Sequence, residues 1–248
     1  MNILTNKTFL ITGAGKGIGF HLAESLHALG ASLILHTNST DSMVRLQSRF
    51  SSGQHTFFQA DFSSPENLED LWKKQVSGSL KIDGYVHCVG IRSRRPINML
   101  KTHDVMQVMT ANFASYVEMI RLVTRKNTYN PGLSIVGISS ISAHAGGSGI
   151  TAYAASKAAM EAATRCLAKE LYKKEIRVNT VVCGQVETEA YQTLMESKDD
   201  QTDKVLERQY LGLGKPSQVT DIILFLLSEK SAFITGSAIP ADGGYLTT

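Results

Sequence analysis

Tyr153 and Lys157 stand four residues apart in TAYAASKAA (151–159), a run otherwise made of small residues that favour helix. Four residues make about one helical turn, so the phenol and the ammonium project from one face. A free phenol, with a pKa of about 10, moves no protons at neutral pH. A neighbouring ammonium favours the phenolate and brings the group toward a useful range. Such a pair donates a proton to a carbonyl oxygen or takes one from an alcohol. By spacing alone, the ordinary explanation of an exposed phenol and ammonium on a helix face is the better one. What surrounds the pair has to decide.

A second chemical stretch is TGAGKGIGFHLAESLHALG (12–30), directly after a β-prone run. Gly13, Gly15, Gly17 and Gly19 precede Leu22, Ala23, Leu26 and Leu29, which recur at helical spacing. Glycines there permit a tight turn and close approach of a pyrophosphate, and the helix N-terminus offers free N–H donors. The competing explanation is a tight strand-to-helix turn with no ligand. No Gly-Lys-Ser/Thr ends the loop, so it is not a P-loop. An acid ending the second strand would select a free ribose 2′-hydroxyl, but LHTNST (35–40) holds none before Asp41. Lys16 lies inside the loop, and His36, Asn38 and Ser39 add polar groups. These features predict NADPH rather than NADH.

The elements that must hold these groups follow from hydrophobic patterning. Runs at 7–12, 31–37, 55–60, 82–89, 133–138, 176–182 and 237–241 read as strands, with helices near 18–29, 41–50, 66–76, 100–127, 153–173 and 217–228. Short Val/Ile/Leu-rich strands alternating with helices predict an α/β fold: a Rossmann-type doubly wound parallel sheet of about seven strands, helices on both faces, in a single domain over 1–248. The polar stretch 185–215 is expected to be a mobile segment covering the strand ends. A net charge of +3 is too weak to argue for nucleic acid. No apolar run is long enough for a membrane helix, and the first residues lack a signal-peptide pattern, so a cytoplasmic protein is expected. Cys88, Cys166 and Cys183 form no CxxC and are expected to be buried free thiols; no metal site is expected.

Taken together, these motifs make the chain resemble the short-chain dehydrogenase/reductase family over essentially its whole length. TGxxxGxG is met by Thr12, Gly13, Gly17 and Gly19, and YxxxK by Tyr153 and Lys157, with Ser156 completing YxASK. The family's catalytic serine falls on Ser140, thirteen positions before Tyr153, and its asparagine on Asn112. Asp61, followed by Phe62, matches the acid that contacts adenine, and ADGG (241–244) the C-terminal signature. The resemblance implies that NADPH delivers hydride to a carbonyl carbon while Tyr153 protonates the oxygen. Ser140 would bond that oxygen, Lys157 would hold the nicotinamide ribose and tune Tyr153, and Asn112 would anchor a water beside Lys157. It also sets Ile18, Gly90, Gly184, Val186 and Thr188 against the cofactor, with the residues already named. For Asn112 the alternative is a helix-interior amide bonded to backbone.

The chain departs from the family where Asn-Ala-Gly becomes Cys88-Val89-Gly90, which predicts local repacking, and where Pro-Gly becomes Cys183-Gly184. Cys183 is expected to be an inert buried thiol. In length and in YAASKAA…LAKEL…IRVNTV the chain is most similar to 3-oxoacyl-acyl-carrier-protein reductases. That likeness implies an acidic carrier protein as partner and a basic patch to receive it. Arg121, Arg125, Lys126, Lys169, Lys173 and Lys174 are the candidates, although cations at helix ends also complement helix dipoles. Leu133 replaces one arginine common in those reductases, while Lys174 keeps the other basic position. A free small-molecule carbonyl is the alternative substrate, and a non-catalytic dinucleotide sensor the third possibility. Family likeness further implies a homodimer or homotetramer through the helices at 100–127 and 153–173.

Overall fold

The computed structural model describes residues 4–76, 80–196 and 201–247. Seven parallel strands form one sheet in the order β3-β2-β1-β4-β5-β6-β7. They are β1 (Thr8–Thr12), β2 (Ser32–Thr37), β3 (His55–Gln59), β4 (Ile82–His87), β5 (Tyr129–Ser140), β6 (Arg177–Cys183) and β7 (Ala238–Ala241). The order reverses direction between β1 and β4, and ligands of such sheets bind beyond the strand C-termini at that reversal. The helices are α1 (Gly17–Ala28), α2 (Thr40–Arg49), α3 (Leu68–Gln75), α4 (Thr102–Met109), α5 (Ser115–Val123), α6 (Ser142–Ala145), α7 (Thr151–Leu171), α8 (Glu189–Glu196), α9 (Gln201–Arg208) and α10 (Pro216–Leu227).

The period-two alternation along each strand builds a core on each face. Phe9, Ile11, Leu33 and Leu35 face α1 and α10 through Leu22, Leu26, Ile223 and Leu226. Leu10, Ile34, Tyr85 and Ile135 face the other way, toward Trp72, Tyr116, Met119 and Met160. Each large aliphatic side chain so buried contributes roughly 1.5–3 kcal/mol relative to exposure. The sheet edge that carries the site therefore rests on two packed layers.

Three elements differ from expectation. The helix predicted over 100–127 is α4 and α5 joined by a π turn at Thr110–Ala114. β5 begins at Tyr129, because Pro131 and Gly132 are accommodated where the register against β4 shifts between Ile82 and Gly84. The stretch 185–215 carries α8 and α9, and its residues 197–200 lie outside the described residues. The thiols also differ: Cys166 is exposed, Cys88 is largely buried and Cys183 is buried. Among the described residues, no helix is long and apolar enough to cross a membrane.

Candidate active site

The C-terminal ends of β4, β5 and β6 bring three of the expected groups together. Ser140 ends β5, paired in register with Cys183 of β6. Tyr153 lies in the first turn of α7, its hydroxyl facing the Ser140 side chain. Lys157 is one turn further on, buried, with its Nζ 5.9 Å from the centre of the Tyr153 ring. That Nζ donates to the Ile138 carbonyl at 2.7 Å. A Cβ on Gly90 would lie 3.1 Å from Nζ, a tight contact that the glycine avoids.

The electrostatics differ from the expectation of a phenol lowered by Lys157. Burial holds the Tyr153 hydroxyl above its ordinary pKa, partly offset by the Ser140 hydroxyl and by the cation of Arg92. Burial also lowers Lys157 to about 8, with Glu161 among the groups pulling it back up. At neutral pH both groups are therefore protonated. Cys88 and Cys183 flank Lys157, and burial pushes both thiols up to about 12, so they stay neutral and unreactive.

Asn112 sits in the π turn and is fully buried. Its Oδ1 accepts from the Ile91 N–H at 2.7 Å, and its Nδ2 donates to the Ile91 carbonyl at 3.0 Å and to Ser156 Oγ at 2.9 Å. The side chain thus braces the loop after β4 against α7. Beside Cys88, His87 Nδ1 lies 2.6 Å from Tyr85 Oη and 3.2 Å from Thr12 Oγ1 inside the core.

The glycine loop packs as its motif predicts. A Cβ on Gly19 would lie 2.3 Å from the Gly13 carbonyl oxygen, and one on Gly13 would lie 2.9 Å from the Cys88 carbonyl carbon. Gly13 and Gly17 have positive φ. The Gly17 N–H, at the start of α1, donates to a carboxylate oxygen of Glu189 at 2.9 Å. The free amide at this helix end therefore holds an anion already, which is the property a dinucleotide pyrophosphate needs. Ile18 is half-buried beside it.

At the β2 end, Lys16 and Asn38 are exposed, and Ser39 caps α2 by accepting from the Ser42 N–H. His36 does not offer the polar contact expected of it. Its Nδ1 accepts from Gly13 N at 3.1 Å and its Nε2 donates to Ala60 O at 3.0 Å, so the ring braces the glycine loop in its neutral form. Burial lowers its pKa to about 4, and it stacks on Phe62, whose ring is likewise internal. Asp61 is exposed and accepts from Ser63 N and Oγ. A Cβ on Gly184 would meet Gln209 Oε1, and that side chain bonds both the N–H and the C=O of Gln185. Val186 is buried, and Thr188 stands against Gly17 while capping α8.

Sequence spacing missed groups whose partners come from remote elements. Arg45 of α2 donates to the Gly15 carbonyl. Glu161 of α7 is buried between Ser139 and His144, accepting from Ser139 Oγ and lying 2.9 Å from His144 Nε2. The expected basic patch is partly consumed: Arg121 and Arg125 both bind Glu69, and Arg121 also binds Glu118. Lys126, Lys169, Lys173 and Lys174 are exposed, and Leu133 is core.

The chain is similar to known proteins over nearly its whole length. A family model described as enoyl-(acyl carrier protein) reductase matches residues 13–246. An L-xylulose reductase of Caenorhabditis elegans is 32% identical over 97% of this chain and 96% of its own. A 3-oxoacyl-acyl-carrier-protein reductase of Thermotoga maritima is 32% identical over 97% of this chain and 98% of its own. The solved 7α-hydroxysteroid dehydrogenase, complexed with NADH and 7-oxo glycochenodeoxycholic acid, superposes with a TM-score of 0.89 at 28% identity, covering 98% of this chain and 96% of that one. The chain belongs to the short-chain dehydrogenase/reductase family.

Proposed function

We propose that the protein reduces a ketone to a secondary alcohol with NADPH, and that the ketone is a 3-oxoacyl thioester on an acyl-carrier protein. The observation that carries the reductase assignment is the Tyr153 phenol, protonated, facing Ser140 and beside the Lys157 ammonium. The nicotinamide, when bound, supplies the hydride. Tyr153 gives its proton to the carbonyl oxygen, and Ser140 Oγ bonds that oxygen as charge gathers on it. Lys157 stabilises the phenolate left behind and would hold the nicotinamide ribose. The glycine loop with Thr188 and Val186 would seat the phosphates and carboxamide, and Asp61 the adenine. NADPH over NADH is supported by Lys16 and Arg45 beside the loop and by the missing acid at the end of β2.

The thioester is supported by the kinship with carrier-protein reductases. A free small-molecule carbonyl is favoured by one observation: the ion pairs of Arg121 and Arg125 with Glu69 remove two cations from the carrier-docking patch. NADPH oxidation measured with an acetoacetyl carrier-protein thioester against a panel of free ketones separates them. Activity on the thioester is the expected result, and turnover of free ketones alone overturns it. The same proposal makes the protein cytoplasmic and a homodimer or homotetramer, with Met106 and Val117 exposed on the α4–α5 face that would pair.

A further inference from the structure

Between β4 and α4 the chain reads IRSRRPINMLKTH (91–103), with Arg92, Arg94, Arg95 and Lys101 and no acid before Asp104. The loop leaves the β4 side of the site, whereas Lys16 and Arg45 lie on the β1–β2 side. It is anchored at several points. Ile91 is bonded through both its N–H and C=O to Asn112. The Arg95 N–H donates to the Gly149 carbonyl at 2.7 Å, and Arg95 Nε lies 3.3 Å from Asp104 Oδ1. A Cβ on Gly149 would lie 3.0 Å from Arg94 Cγ, so the loop packs on the turn that launches α7.

This anchoring sets Arg92 over the reacting phenol. Its guanidinium carbon lies 5.9 Å from the centre of the Tyr153 ring, and its side chain is exposed at the mouth of the site. The guanidinium thus puts an exposed cation beside the place the reacting carbonyl must take. The planar fork of arginine matches oxyanions.

We propose that Arg92 receives an oxyanion carried by the substrate itself, a carboxylate or phosphate a few bonds from the reacting carbonyl. This rests on Tyr153 as proton donor, which fixes where the carbonyl lies. It also extends to thioesters, whose acyl group would then carry the charge.

The test uses matched pairs with NADPH: 4-oxopentanoate against its methyl ester, and dihydroxyacetone phosphate against dihydroxyacetone. Wild type should prefer the anion by about tenfold in kcat/KM, expressed mainly in KM, as for one charge-assisted hydrogen bond. The pair showing the preference distinguishes carboxylate from phosphate. Arg92→Gln should erase the preference and Arg92→Lys should keep part of it. The ratio is internal to each variant, so a folding defect that lowers both rates leaves it unchanged. In parallel, 4-hydroxypentanoate and glycerol phosphate are titrated calorimetrically into the NADPH-loaded protein. Wild type should bind one of them, and Arg92→Gln about tenfold more weakly. Equal rates within each pair, or no binding of either anion, overturn the proposal while leaving the reductase intact. Arg92-dependent binding with no turnover of any carbonyl overturns the proton-donor assignment instead.

Discussion

At Tyr153, burial and catalysis pull in the same direction. The hydroxyl is held above its ordinary pKa, so it is protonated at neutral pH, the form a donor to a carbonyl requires. Tyr153→Phe should lower turnover by about a thousandfold while NADPH binding, read by fluorescence, stays within about twofold. Lys157 sets a second expectation. With its pKa near 8, the ammonium that supports the phenolate is present below that pH and lost above it. The pH profile of carbonyl reduction should therefore fall on an alkaline limb at about 8; a limb above 10 would remove Lys157 as the titrating group. Stability runs the other way over the same span. Between about 8 and 10.5 the unfolded chain keeps the lysine proton that the folded protein has released, so folding gains as pH rises.

Among the elements, the strands and the α7 pair were legible because each is a local pattern: period two, period 3.6, or glycines at fixed offsets. The π turn was not, because Thr110–Ala114 has no composition of its own, and the extra residue shows only in how Asn112 meets Ile91 and Ser156. The start of β5 was hidden by Pro131 and Gly132, which locally read as a turn. Contacts between elements were equally silent. Nothing near Arg45 points to Gly15, thirty residues away, and nothing near Glu69 points to Arg121 and Arg125. His36 holds the sequence position of a ligand-binding group, but its depth in the sheet turns it inward. The α1–α2 junction carries a test of cofactor choice. Lys16→Ala and Arg45→Ala should each weaken NADPH by about tenfold and NADH much less, measured as dissociation constants; equal losses would detach both cations from a 2′-phosphate.

For the whole molecule, acid stability should follow its buried imidazoles. The folded pKa of His36 is lowered from 6.5 to about 4 by burial, and His87 moves in the same direction for the same reason. Between those two values the unfolded chain binds the proton and the folded chain does not, so stability is full above 6.5 and is lost as pH falls toward 4. His36 alone accounts for about 3 kcal/mol of that loss. Urea midpoints measured across this range should decline, and His36→Gln should reduce proton uptake on unfolding by about one. The Glu189 carboxylate on the Gly17 amide has a different reach. It is a competitor tethered to the protein, present at one fixed effective concentration whatever the enzyme is diluted to. Dinucleotide affinity is then the intrinsic affinity scaled by the fraction of molecules in which that amide is open. Removing the tethered charge with Glu189→Gln should tighten NADPH by about threefold, by the same factor at every protein concentration. The helix that begins at Glu189 would thus set how much cofactor the cell must supply before the phosphate site fills.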